Sequence, residues 1–162
     1  MRIKNIPVFR LICFLCFLAV AFLIFFFGSQ NGEESGEISL SVLAWLSDVF
    51  PFLPLSGDGA HLFIRKLAHF SVFFMEGLLL IFAAAKDGRK KKRLLVYTLI
   101  FLFVLSAVSE IQQMFVEGRG PSFTDVLINF SGAFTGTGMS MLCLFVYGRL
   151  RRRAEKRRMP DV

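Results

Sequence analysis

The hydrophobic positions of this chain fall into four long runs separated by polar segments. The runs occupy about residues 8–28, 63–85, 94–116 and 123–147. Each run reaches the roughly 20 residues that a helix needs to cross the hydrocarbon core of a bilayer. The pattern therefore predicts an all-α fold, a polytopic membrane bundle of four transmembrane helices, with one membrane domain over residues 1–148.

The first run has a competing interpretation as a signal peptide, because basic residues precede it. However, it ends in three consecutive phenylalanines at 25–27 and not in a small-residue cleavage site, so we interpret it as an uncleaved span. The next segment, 29–62, is an acidic loop broken by glycine and proline. Within it, residues 38–50 predict a short amphipathic helix lying on the membrane.

The basic residues predict the orientation of the chain. Sixteen of the 19 Lys and Arg residues precede the first run, lie in the turn at 86–93, or form the tail at 149–162. By the positive-inside rule, both termini are then cytoplasmic, and the loops at 29–62 and around Arg119 face outward. We expect the tail to be disordered or to lie on the lipid surface. Since the basic residues flank apolar runs, the net charge of +7 does not indicate nucleic-acid binding.

Strongly polar residues interrupt three of the four runs. Charged groups are costly in a bilayer and often mark a site when they face the bundle interior. With the predicted orientation, these residues gather in the outer leaflet, except that Glu76 lies about 10 Å deeper than His69. We expect the first span to contribute none of them. The candidates are Lys66, His69 and Glu76 in the second span, Glu110 and Gln113 in the third, Arg119 in the following loop, and Asp125 and Asn129 in the fourth.

The order of these residues resembles that of VanZ-like membrane proteins. The segment RKLAHF at 65–70, with Glu76-Gly77 after it, resembles the KxxHF element of that family, and SEIQQMF at 109–115 resembles its SExxQ-F element. Arg119 and TDVLINFSGA at 124–133 resemble the continuation of the pattern. The resemblance implies a bacterial plasma-membrane protein of four or more helices. The family takes its name from a protein that confers resistance to the glycopeptide teicoplanin.

Two interpretations of the polar residues remain open. In the first, they form a site, with His69, Glu76, Glu110 and Asp125 as catalytic candidates and Lys66, Gln113, Arg119 and Asn129 as ligand-binding candidates. In the second, they form a structural network that fixes helix packing. That network would pair Lys66 with Asp125, Glu110 with Arg119, and His69 with Gln113 or Asn129.

We expect a protein that binds or acts on an anionic cell-envelope ligand, namely a lipid-linked wall precursor or a lipid headgroup. Whether it is an enzyme stays open, and so do a small transporter or flippase, a non-catalytic scaffold and a homo-oligomer. The spacing of the polar residues specifies no metal and no cofactor. Arg65 is interpreted as an anchor at the membrane interface, and Cys13, Cys16 and Cys143 as apolar filling.

Reporter fusions test the predicted orientation. Green fluorescent protein fused after Val162 should fluoresce in a bacterial host, because both termini are predicted to be cytoplasmic. Alkaline phosphatase should be active when fused within the 29–62 loop and inactive at the C-terminus. An active C-terminal phosphatase fusion would contradict the orientation.

Overall fold

The computed structural model describes residues 6–50, 58–85 and 91–158, and these ranges form α-helices without any strand. The predicted all-α fold is confirmed. The part of the basic turn at 86–90 and the residues at 1–5 and 51–57 lie outside the described ranges. The helices are α1 (Ile6–Gly28), α2 (Gly32–Val49), α3 (Asp58–Ala84), α4 (Lys91–Gln113) and α5 (Phe123–Arg158).

Four of the five helices, all except α2, are long and apolar enough to cross a membrane. Large apolar side chains such as Phe22 and Phe134 are more than half exposed on their outer faces. In a multi-pass membrane protein such faces contact lipid, since lipid tails are as apolar as these side chains. The four predicted spans are therefore confirmed as helices of suitable length and composition.

Three side-chain contacts define the two ends of the bundle. Arg10 near the start of α1 donates to the carbonyl of Ala83 at the end of α3. Gln112 at the end of α4 donates to the carbonyl of Phe25 near the end of α1, and Lys66 and Asp125 pair near the starts of α3 and α5. Hence α1 and α4 end where α3 and α5 begin, next to α2. We call this part of the molecule the α2 end.

The closest helix packing is between α3 and α5. A Cβ atom added at Gly77 would collide with the carbonyl oxygen of Ala133. One added at Gly132 or Gly136 would collide with the carbonyl oxygen of Phe70 or Phe74 respectively. Glycine at these positions allows two backbones to approach closely, as in other small-residue helix contacts in membranes.

Helix α2 begins earlier than the predicted amphipathic helix at 38–50. Asn31 caps its first turn, because its side chain accepts from the backbone N–H of Glu34, and the Glu34 carboxylate accepts from the N–H of Asn31. This reciprocal capping box satisfies donors that a helix start otherwise leaves unpaired. Most of α2 remains exposed, and Leu43 is its buried residue.

The fourth span and the basic tail form one helix. At about 1.5 Å per residue, the 36 residues of α5 measure roughly 54 Å, well beyond the roughly 30 Å of a hydrocarbon core. Of the two alternatives for the tail, disorder does not hold for residues 149–158, which are helical, and a position on the lipid surface stays a prediction. Arginine favours helix, and Arg151 pairs with Glu155 one turn later, at 2.9 Å.

Two glycine substitutions in α5 test the α3–α5 contact. Gly136→Ala should lower the melting temperature of the protein in detergent, because its new Cβ would push against the Phe74 carbonyl. Gly138→Ala is the matched control, since nothing lies within 4 Å of its added Cβ, and it should leave the melting temperature unchanged or raise it through better helix propensity. Equal effects of the two substitutions would contradict the proposed packing.

Candidate functional site

The α2 end brings together side chains from α3, α4 and α5. His69, Asn129, Glu110 and Gln113 are connected by hydrogen bonds and short polar contacts. The Lys66–Asp125 ion pair lies beside them, with an Asp125 oxygen within 4.8 Å of ligand atoms of His69 and Glu110. We call these six residues the polar cluster. Six of the eight predicted candidates therefore lie together, whereas Glu76 and Arg119 have different surroundings.

Glu110 lies at the centre of the polar cluster and is 2% exposed. Its Oε1 atom accepts from Asn129 Nδ2 at 3.4 Å and from Gln113 Nε2 at 3.5 Å. Its Oε2 atom accepts from the backbone N–H of Ser122 at 3.4 Å. One carboxylate thus connects α4, α5 and the loop between them.

His69 faces both Asn129 and Glu110. Its Nδ1 atom lies 3.1 Å from Asn129 Oδ1 and 4.0 Å from Glu110 Oε1. The tautomer that carries a proton on Nδ1 donates it to the Asn129 oxygen and leaves Nε2 as an acceptor. The predicted contact between His69 and Asn129 is confirmed. A histidine beside a buried carboxylate is an arrangement suited to proton transfer.

Lys66 and Asp125 form the predicted ion pair, with Nζ 3.1 Å from Oδ1. The Lys66 side chain is 43% exposed and that of Asp125 only 12%. Ser122 orients the acidic partner, because its hydroxyl accepts from the backbone N–H of Asp125 at the start of α5. The carboxylate is therefore held in place, whereas the ammonium has access to the surroundings of the bundle.

Arg119 does not pair with Glu110 as expected. Its Nη1 atom donates to the carbonyls of Phe27 at 3.2 Å and Gly28 at 3.4 Å, which are the last carbonyls of α1. Cations stabilise the C-terminal end of a helix, where carbonyls lack partners. The first span therefore reaches this region through its backbone carbonyls, whereas the polar side chains come from the other spans and the loop, as expected.

Arg119 also carries unused binding capacity. Its Nε atom is buried and has no hydrogen-bond partner among the described residues. Burial, together with the nearby positive charge of Arg65, lowers the pKa of the Arg119 guanidinium from its usual value. Arginine still remains charged at neutral pH, so the region holds a positive charge that the protein only partly compensates.

Two loops close the α2 end around Arg119. The backbone N–H of Gly32 donates to the carbonyl of Glu117 at 3.0 Å. Gly118 adopts a positive φ of 71°, which glycine reaches without strain. The hydrogen bond between Gly32 and Glu117 joins the turn after α1 to the loop after α4, and it fixes the loop that carries Arg119.

Glu76 is fully buried, and both of its carboxyl oxygens lack a partner among the described residues. It lies one helical turn from Phe73, which packs with Phe17, Leu102 and Ala133 in the apolar core. The predicted acid therefore lies apart from the polar cluster, with Phe73 between it and His69 along the same face of α3.

A pocket of about 470 Å³ lies beside the polar cluster. Arg65, which the sequence suggested as an interface anchor, is among its lining residues. Polar side chains line one part, and apolar residues of α1 and α3, together with Ile38 of α2, line the rest. The polar side chains are Gln30, Ser35, Ser39, Arg65, His69, Ser71, Ser109, Gln113 and Arg119, and the apolar residues include Val20, Leu23, Ile24, Ala68, Val72 and Phe73.

Sequence reasoning missed the supporting residues of this site. Ser122 was seen only as part of a loop, although a serine directly before a predicted helix is a capping signal. Gln112 was seen only as a neighbour of Gln113, although it binds the α1 carbonyl of Phe25. Backbone acceptors such as the carbonyls of Phe27 and Gly28 leave no signal in a sequence.

Replacement of Arg119 tests its role in fixing α1. Arg119→Ala should lower the stability of the protein in detergent by about 1–3 kcal/mol, because two charge-assisted hydrogen bonds to α1 are lost. Thermal unfolding followed by circular dichroism measures the change. Arg153→Ala is the control, because Arg153 is exposed on the end of α5, and it should have no effect. Equal melting temperatures for the two variants would contradict this role.

Comparison with known proteins agrees with the residue pattern. The VanZ/LLP1 family model matches residues 11–145, which include all four long apolar helices in whole or in large part. No curated protein and no solved structure matches the chain. The matched range contains every residue of the polar cluster, together with Glu76 and Arg119. The chain belongs to the VanZ/LLP1 family.

Proposed function

We propose that this protein binds, or acts on, an anionic amphipathic ligand of the cell envelope at the outer leaflet of the bacterial plasma membrane. A lipid headgroup and a lipid-linked wall precursor share the required chemistry, a phosphate joined to an apolar chain. The observation that carries the proposal is the pocket beside the polar cluster, which combines two arginines with a long apolar wall.

The arginines supply the recognition of the anion. Arg65 and Arg119 both line the pocket, and Arg119 retains a buried Nε donor without a partner. Guanidinium groups bind phosphate and carboxylate oxygens through charge-assisted and often bidentate hydrogen bonds. A ligand phosphate would therefore use donors that the protein leaves unused.

The position of the pocket supports a lipid ligand. Its apolar lining comes mostly from α1 and α3, including Leu23 and Val72, while its polar part lies at the α2 end. An acyl or prenyl chain would run along these two helices and place its phosphate near Arg119. The distribution of basic residues favours an α2 end that faces outward, and this supports the outer leaflet as the source of the ligand.

The polar cluster also holds the groups for a proton-transfer step. His69 borders the pocket and lies 4.0 Å from the Glu110 carboxylate. In a catalytic role, His69 would exchange a proton with the ligand, and Glu110 would orient the imidazole and balance its charge. Asp125 would act through Lys66, which it binds.

A small transporter or flippase is a second candidate, and one observation favours it. Buried hydroxyl groups continue from the polar cluster into the deeper bundle, where Glu76 is also buried. Otherwise the segments at 78–84 and 94–105 are nearly devoid of polar residues, which counts against transport by a single chain. The buried hydroxyl groups that continue into the bundle belong to Thr98, Ser106, Ser109, Thr137 and Ser140. Lipid-scrambling assays with reconstituted protein would separate transport from binding.

Lipid binding by purified protein tests the proposal. In nanodiscs, anionic phosphatidylglycerol should be retained by the protein in preference to phosphatidylcholine, as measured by native mass spectrometry. Arg65→Gln should reduce this preference about tenfold, because a pocket cation is lost. Arg153→Gln is the charge-matched control and should behave as the wild type, since Arg153 is exposed at the far end of α5.

Two results would contradict the proposal. One is equal retention of the two lipids by the wild type, and the other is an equal loss of preference in both arginine variants.

In cells, deletion of the gene followed by comparative envelope lipidomics and glycopeptide susceptibility testing should show a changed lipid or wall-precursor profile. His69→Ala and Glu110→Gln should fail to restore that profile while reaching normal abundance in the membrane.

A further inference from the structure

We propose that His69, Glu110 and Asp125 form a binding site for a divalent transition-metal cation of the Zn²⁺ or Mn²⁺ class. A ring nitrogen of His69 and one carboxylate oxygen each from Glu110 and Asp125 lie within 4.8 Å of one another. The three residues come from three different helices, α3, α4 and α5. Their spacing along the sequence specified no metal, because the juxtaposition arises only in the folded bundle.

The three ligand atoms need only a small movement to bind one ion. Ligands of a tetrahedral zinc site lie about 2 Å from the metal and therefore roughly 3.4 Å from one another. His69 Nδ1 and Glu110 Oε1 are already 4.0 Å apart. Contraction of the cluster by about an ångström would complete the geometry, which is within the reach of side-chain rotation.

An orphaned oxygen beside these residues is a second, independent observation. The Oε1 atom of Gln113 is buried and has no hydrogen-bond partner among the described residues. Gln113 is only 3% exposed, and the other end of its amide lies 3.5 Å from Glu110 Oε1. A buried acceptor without a partner is costly. A cation, or a water bound to it, would satisfy this oxygen.

Neighbouring groups hold the ligand side chains in place through hydrogen bonds, as they do around metal sites in other proteins. Asn129 donates through its nitrogen to Glu110 Oε1. Its oxygen lies 3.1 Å from His69 Nδ1, and when Nδ1 binds the metal, the imidazole proton is carried by Nε2 instead. The backbone N–H of Ser122 fixes the second oxygen of Glu110. Hydrogen bonds of this kind orient imidazole and carboxylate ligands and commonly raise metal affinity about 10–100-fold.

The donor set indicates the class of metal. One imidazole nitrogen with two carboxylates suits Zn²⁺ or Mn²⁺, whereas Mg²⁺ and Ca²⁺ prefer oxygen ligands alone. Two carboxylates also balance the charge of a divalent ion, which reduces the cost of burying it. Three protein ligands leave at least one coordination position for water or for a ligand oxygen.

In the described structure, the ammonium of Lys66 is the cation that binds the Asp125 carboxylate. Its ammonium lies 3.1 Å from Asp125, and its side chain is 43% exposed and so has room to turn away. The ammonium and the metal would compete for the same carboxylate. Removal of the ammonium should therefore strengthen metal binding, a result that a merely structural ion pair does not predict.

The cation site does not depend on the proposed lipid ligand, but it deepens that proposal. His69 and Gln113 border the pocket, so an open coordination position would face a bound headgroup. A phosphate oxygen would then complete the coordination of the metal. In that case the metal, together with Arg119, would recognise the phosphate.

Metal titration of the purified full-length chain tests the site. The protein carries no polyhistidine tag, is stripped with EDTA and is titrated with Zn²⁺, Mn²⁺, Mg²⁺ and Ca²⁺ by isothermal calorimetry in detergent. One Zn²⁺ or Mn²⁺ per chain should bind, with weaker or no binding of Mg²⁺ and Ca²⁺. His69→Ala, Glu110→Gln and Asp125→Asn should each weaken binding at least about tenfold, and Lys66→Met should strengthen it.

Two matched controls use residues outside the cluster. Glu117→Gln removes an exposed carboxylate from the loop after α4, and His61→Ala removes the other histidine of the chain. Both should bind as the wild type does. The site is overturned if the wild type binds neither Zn²⁺ nor Mn²⁺, or if the three ligand variants bind as tightly as these controls.

Cobalt substitution keeps the test decisive where a ligand variant fails to fold. Wild-type protein loaded with Co²⁺ should show visible absorption typical of a low-coordinate nitrogen and oxygen environment, and a spectrum of hexaaqua Co²⁺ would overturn the site.

Repeating the lipid-retention assay with and without EDTA separates the two proposals. Metal binding without lipid selectivity contradicts the proposed function alone, whereas lipid selectivity without any metal binding contradicts the cation site alone.

Discussion

The close contact between α3 and α5 sets the geometry on which the rest of the molecule depends. Glycines at 77, 132 and 136 bring the two backbones so close that a methyl group at any of them would overlap a carbonyl oxygen of the other helix. This contact fixes the register, with Gly132 against Phe70 and Gly136 against Phe74. The pairs Lys66–Asp125 and His69–Asn129 follow from that register toward the α2 end.

The other helices complete a site that α3 and α5 begin. Glu110 brings α4 into the cluster by accepting hydrogen bonds from Asn129 and from the backbone of Ser122. Arg119 then binds the end of α1 and places its guanidinium at the pocket. Each step satisfies some buried polar groups but leaves others without a partner, notably Gln113 Oε1 and Arg119 Nε. Groups that folding leaves unsatisfied are natural positions for a ligand or an ion.

The features of the fold and of the site that depend on hydrophobic periodicity and on charge could be predicted from the sequence. The four spans follow from run length, and the pairing of Lys66 with Asp125 follows from their helical faces and depth. For His69, the sequence left Gln113 and Asn129 as alternative partners, and the structure shows Asn129. Helix ends were less accurate, because the Asn31–Glu34 capping box was overlooked and disorder was one of two alternatives for the basic tail, which is helical to Arg158.

The partner of Arg119 could not be predicted from residue types. Complementary charge suggested Glu110, but the folded chain offers the guanidinium the α1 carbonyls of Phe27 and Gly28. Every residue has a carbonyl, so nothing in the sequence marks these two as acceptors. The metal-binding geometry was equally hidden, since His69, Glu110 and Asp125 meet only through the packing of three helices.

Photo-crosslinking in intact cells tests the central claim, that the α2 end is a ligand site, most directly. A photoreactive residue at Val72 lines the pocket, and one at Leu142 lies on the exposed surface of α5 as a control. Mass spectrometry of the adducts should find an anionic phospholipid or lipid-linked precursor enriched at position 72 relative to position 142. The same mixture of bulk lipids at both positions would contradict the account.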